Sequence, residues 1–160
     1  MNVRSAALLY VCFRDLADRH GALDAYTPSS WLHGHTDPPL ADLADVFGLL
    51  SLRLRLTPRR ACRVAPAPGY RLRAGADRRA PLVRDLFMWM DQRQATAKDL
   101  AAAGGPPTTT LAKWKVRSTP RLDAFERAAA PLGLALDAVE DDSDTAATPA
   151  LSAYRAGLTA

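Results

Sequence analysis

The spacing of apolar positions along the chain changes period twice. Over residues 3–20, Ala7, Leu8, Val11, Cys12 and Leu16 recur three and four apart, which predicts an amphipathic helix stopped at Gly21. Thr27 and Pro28 then read as N-cap and first turn of a second helix, running through Trp31 to near Gly34. Pro38-Pro39 opens a third, with Leu40, Leu43, Val46 and Phe47 on one face. From Ser51 the period falls to two. Leu52, Leu54 and Leu56 alternate with Arg53 and Arg55, as in a half-buried strand, and Pro58 closes it. Residues 62–65 and 70–74 are further strand candidates on either side of the turn signal Pro66-Ala67-Pro68-Gly69. A small antiparallel sheet built from these strands puts Arg53 and Arg55 on one face, and likewise Arg71 and Arg73, with the leucines and Tyr70 opposite.

After a linker at residues 75–80 the helical period returns. Leu82, Val83, Leu86, Phe87 and Met90 form a stripe that ends near Arg93. Thr96 is the N-cap candidate for a helix over residues 97–103, and Gly104-Gly105-Pro106-Pro107 breaks it. Residues 108–117 form the next helix. Pro120 begins another, with Leu122, Phe125, Ala129 and Leu132 facing inward. Beyond Glu140 the acidic, Ala/Thr-rich tail has little to bury and reads as disordered, with a short helix at 150–158 as an option.

Charge divides the chain more sharply than its net +4 suggests. Residues 1–50 carry three Arg against six Asp, whereas 51–80 carry nine Arg against only Asp77. The balance over 81–139 is eight basic groups against six acidic, and the last 21 residues are again acidic. A basic centre between acidic ends points to a polyanion partner for the centre alone. The apolar stretch at residues 6–13 runs directly into Arg14 and Asp15 without a small-residue cleavage site, so it reads as a buried helix rather than a signal peptide. Two cysteines, Cys12 and Cys62, suit a reduced compartment, and a cytoplasmic, nucleoid-associated protein is expected. His20, His33 and His35 do not combine with them at a zinc spacing, and no phosphate-cradling loop, nucleophile elbow or carboxylate pair stands out. Asp141-Asp142-Ser143-Asp144 lacks the glycine and terminal glutamate of a calcium loop. No cofactor and no enzymatic activity are expected.

Residues 96–136 are the informative stretch. Two short helices meet at a tight turn there, with Ala101 small enough for close approach and Gly105 supplying the turn. Leu111 and Trp114 turn the second helix back onto the domain, leaving Thr108, Thr109, Ala112 and Lys113 on its outer, N-terminal face. In Asp99-Leu100-Ala101, Gly105, Leu111, Trp114, Pro120 and Leu132-Gly133, residues 82–139 resemble the Cro/repressor-like helix-turn-helix family of phage and bacterial regulators. The resemblance implies a helix-turn-helix domain of four to five helices at 81–139. It makes residues 108–117 a recognition helix with Thr108, Thr109, Ala112 and Lys113 facing bases. Thr96, Lys98, Lys115 and Arg117 would hold the DNA backbone. Two departures stand out: Ala97 replaces the Gln many members use on a phosphate, and Lys115 replaces a common acidic residue.

A degenerate second copy of the motif lies at about residues 4–50. Asp15-Leu16-Ala17, Gly21, Trp31, Pro38 and Leu40 align on Asp99-Leu100-Ala101, Gly105, Trp114, Pro120 and Leu122 with small length changes. Its net acidity suits a phosphate backbone poorly, so this N-terminal helical module is expected to serve packing, dimerisation or partner contact. For the arginine-rich segment 51–80, with Arg53, Arg55, Arg63, Arg71 and Arg73, three readings stay open. It is an auxiliary grip on DNA, an edge that pairs with another subunit, or a solvated basic face. The whole reads as a mainly α protein with a small antiparallel sheet. It is expected to be a sequence-specific regulator, a repressor acting on double-stranded DNA as a homodimer. The alternative is a protein-binding regulator on the same scaffold, such as an antitoxin or phage-encoded inhibitor, using the acidic segments.

Overall fold

A computed structural model describes residues 30–31, 35–49, 52–71, 80–116 and 119–140. The predicted helices at 3–20 and 150–158, linker residues 75–79, and Arg73 and Arg117 lie outside the described residues, as does the predicted helix from Thr27 to Gly34 apart from residues 30–31. Among the described residues there are five α-helices and a two-stranded antiparallel sheet. The chain divides into two compact units, one formed by 1–38, 42–54 and 137–160, the other by 39–41 and 55–136.

In the first unit, helix α1 (Leu40–Leu49) takes most of its length. Leu43, Val46 and Phe47 are buried, as their spacing predicts. Ser30 and Trp31 are helical, and the buried Ser30 hydroxyl meets Thr36 Oγ1 at 2.9 Å.

The second unit holds helices α2 (Pro81–Gln92), α3 (Ala97–Ala102), α4 (Thr108–Trp114) and α5 (Leu122–Ala129), the last followed by a 3-10 turn Ala130–Leu132. Pro81 starts α2 with the fixed φ of a first-turn proline, and Leu82, Val83, Leu86, Phe87 and Met90 are buried along it. Its end is a Schellman cap: Ala95 N–H donates to the Met90 carbonyl at 2.8 Å and Gln94 N–H to Asp91 at 3.1 Å. Gln94 takes the left-handed conformation this requires, at φ 53°. The core is completed by Leu100, Leu111, Trp114, Phe125 and Leu132. Each such fully buried large side chain contributes about 2 kcal/mol through area removed from water.

The sheet departs from the sequence reading. Strand β1 (Leu52–Pro58) forms, with Leu54 and Leu56 buried and Arg53 and Arg55 exposed. Its partner is β2 (Leu134–Glu140), from the far end of the chain. Residues 62–65 form no strand, nor do Tyr70 and Arg71, the described part of 70–74. The reason is physical. Past Pro58 the chain is held by carbonyls that follow α5: Arg59 and Arg60 N–H donate to Gly133 at 2.8 and 3.0 Å, and Arg63 N–H donates to Pro131 at 2.8 Å. With those amides turned away, and prolines at 66 and 68, no local hairpin ladder can form.

Candidate nucleic-acid interface

The turn between α3 and α4 sets the geometry of the candidate site. Helix α3 opens on a capping box: Thr96 Oγ1 accepts from Asp99 N–H at 3.2 Å, and Asp99 Oδ2 accepts from Thr96 N–H at 2.8 Å. The Thr96 hydroxyl also donates to Asp99 Oδ2 at 2.5 Å. These bonds from Thr96 hold the Asp99 carboxyl below its ordinary pKa range. The single hydroxyl proton of Thr96 is thus committed within the cap. A phosphate contact from this hydroxyl would have to draw its proton away from Asp99.

At its other end α3 closes with a second Schellman cap. Gly105 N–H donates to the Leu100 carbonyl at 2.8 Å and Gly104 N–H to Ala101 at 3.2 Å. The turn therefore uses both glycines, for different reasons. Gly104, not Gly105, takes the left-handed conformation, at φ 92°. Gly105 is confined by approach: a Cβ there would lie 2.7 Å from the Leu100 carbonyl oxygen. Pro106 is buried, and Pro107 leads into α4, which packs against α3.

Helix α4 is sharply two-sided. Leu111 and Trp114 are buried, and Trp114 meets Phe125 of α5 with ring centroids 6.3 Å apart, which ties the helix to the core. Thr108, Thr109, Ala112 and Lys113 are all exposed. Lys98 on α3 is exposed as well. Lys115, just past α4, is half-buried, its Nζ 5.3 Å from the centroid of the Phe87 ring.

In the same unit, Arg55, Arg63 and Arg71 are exposed; Arg53, in the other unit, is exposed too. Arg59 and Arg60 are also exposed, and the sequence reading did not single them out. The signal that could have found them is Gly133. A Cβ there would lie 2.2 Å from the Arg60 carbonyl oxygen, so the glycine is what lets the arginine loop seat behind α5. Among the described residues no group of three or more His, Cys, Asp or Glu side chains could hold a metal ion, and Cys62 is a free thiol. No described helix is long and apolar enough to cross a membrane. No protein-family model matches the chain, and neither the curated proteins nor the solved structures compared with it contain a significant match.

Proposed function

We propose that this protein is a sequence-specific DNA-binding regulator, a repressor, that reads the major groove with α4. The observation carrying this reading is the two-sidedness of α4 after a tight two-glycine turn. Two large residues, Leu111 and Trp114, anchor it, and a small, polar, cationic set of Thr108, Thr109, Ala112 and Lys113 faces outward. A major groove about 12 Å wide admits one such helix. Threonine hydroxyls serve either base edge, the threonine methyl and Ala112 suit a thymine methyl, and lysine suits guanine. Lys98 and Lys115 would steady the phosphate backbone, as would Arg117. Exposed arginines from Arg53 to Arg71 would add affinity that carries no sequence information.

The experiment is selection from a random duplex pool with the full chain at about 0.1 M salt. A reading helix enriches a defined motif a few base pairs long. Uniform recovery of all sequences would reduce the protein to a nonspecific polycation, and no recovery would remove DNA from its function.

A further inference from the structure

Two stretches of the chain repeat one another at an offset that both sequence and hydrogen bonding obey. Helix α1 starts at Leu40 and α5 at Leu122; β1 spans Leu52–Pro58 and β2 spans Leu134–Glu140. Each element in the later stretch begins 82 residues after its counterpart, and the two strands are equal in length. The buried positions correspond: Leu40 with Leu122, Phe47 with Ala129, Leu54 with Leu136. Each helix is entered through a buried proline, Pro38 or Pro120. A repeat at this offset identifies one supersecondary unit used twice.

The two copies also pair through equivalent positions. Pro39 and Arg121, themselves 82 residues apart, form an isolated antiparallel bridge, closed by the Leu40 N–H donating to the Pro120 carbonyl at 2.8 Å. The sheet pairs β1 with β2, each strand with its own counterpart. Arg59 N–H to Gly133 O, at 2.8 Å, continues the pairing past the end of β1. An antiparallel contact between a segment and its own equivalent is what two identical chains make across an isologous, two-fold interface. Here both partners are in one chain.

We infer that the protein is a fused dimer: its N-terminal copy occupies the strand edge and bridge through which the C-terminal copy would otherwise bind a second chain. This replaces the homodimer expected from the sequence. The copies have diverged at the position that matters for reading DNA. In the alignment of Trp31 with Trp114, Ser30 stands opposite Lys113. Lys113 is exposed, whereas Ser30 is buried and hydrogen-bonded to Thr36. One chain then reads a single half-site with α4 alone, a consequence that rests on the DNA-reading proposal.

Sedimentation equilibrium on the full chain tests the fusion without DNA. The wild type is expected at 17.3 kDa across the micromolar range, and a dimer of twice that mass would overturn the inference. Arg55→Pro places a residue without an N–H inside β1 at an exposed position, leaving the core side chains in place. It should free the β2 edge and convert the protein to a concentration-dependent dimer. A variant that keeps its helical circular dichroism and stays monomeric would contradict the account. Should the proline unfold the chain, Arg55→Gly weakens the strand more gently; a smaller shift toward dimer supports the inference and no shift overturns it. Adding a selected duplex gives the second reading. One chain per non-palindromic site is expected, and two chains on a palindrome would refute the single half-site. Failure to bind any duplex would count against the proposed function while leaving the masses, and the fusion, to stand on their own.

Discussion

The amide of Gly105 donates to the carbonyl of Leu100 at 2.8 Å, and a Cβ on Gly105 would lie 2.7 Å from that same oxygen. This contact fixes the angle at which α4 leaves α3. Gly105→Ala must push the two backbones apart, whereas Gly104→Ala meets open space and suffers only from its left-handed φ of 92°. Both are expected to destabilise, Gly104→Ala by about 1 kcal/mol and Gly105→Ala by about 2 kcal/mol. Urea denaturation checks the order, and a Gly105→Ala variant as stable as the wild type would mean the close approach is unimportant.

Gln94 sits at the corresponding left-handed position of the α2 cap, where glycine is the usual residue. Its amide and that of Ala95 already make the cap bonds, so only the side chain opposes the backbone. Gln94→Gly should stabilise the protein by about 0.5–1 kcal/mol, less than the relief in φ alone because glycine also frees the unfolded chain. A melting temperature a few degrees higher is the expected result.

The capping box ties stability to pH. Asp99 has a folded pKa below its ordinary value, so its contribution is complete above about pH 4 and is lost as pH falls through the lower folded pKa. Thr96→Ala removes the hydroxyl that accepts from Asp99 N–H, at a cost of about 1 kcal/mol near neutral pH. The difference between wild type and Thr96→Ala should shrink on acidification below pH 4, followed by denaturant titration at each pH. A difference that grows in acid would contradict the assignment of the shift.

Among the described residues, most of the helical architecture was legible because burial follows local periodicity. Leu40, Leu43, Val46 and Phe47 in α1, and the stripe of α2, are buried as their spacing indicates. The same holds for Leu111 and Trp114, which is why the outer face of α4 could be named from sequence. Strand β2 was not legible. Leu134, Leu136 and Val139 follow the α5 pattern with only Gly133 between, and the partner strand β1 lies far back in the chain. Nothing local distinguishes an alternating run that finds a distant edge from one that continues a helix. The arginine hairpin failed for the complementary reason. Residues 62–71 have strand composition, but Arg59, Arg60 and Arg63 spend their amides on Gly133 and Pro131.

The exposed arginines make an electrostatic prediction. If they contact phosphate, the quadruple change Arg53, Arg55, Arg63 and Arg71 to Gln should weaken binding to all sequences alike. It should also flatten the plot of log affinity against log salt by about 0.9 per lost contact. Fluorescence anisotropy from about 50 to 200 mM salt measures this. An unchanged slope assigns these residues to a solvated face.

The reading role of α4 is tested most directly by repeating the site selection with Lys113→Ala. Lys113 is exposed on the outer face of α4 and lies beside the buried Trp114 without contributing to the core. The substitution should lower the melting temperature by no more than a few degrees, since Lys113 is exposed and only its charge in the last turn of α4 is lost, about 0.3–1 kcal/mol. A motif relaxed at one or two base pairs is expected, with discrimination there reduced by about 1–3 kcal/mol and the rest of the site unchanged. An unaltered motif from Lys113→Ala, with affinity lowered equally on every sequence, would contradict the base-reading role assigned to this face of α4.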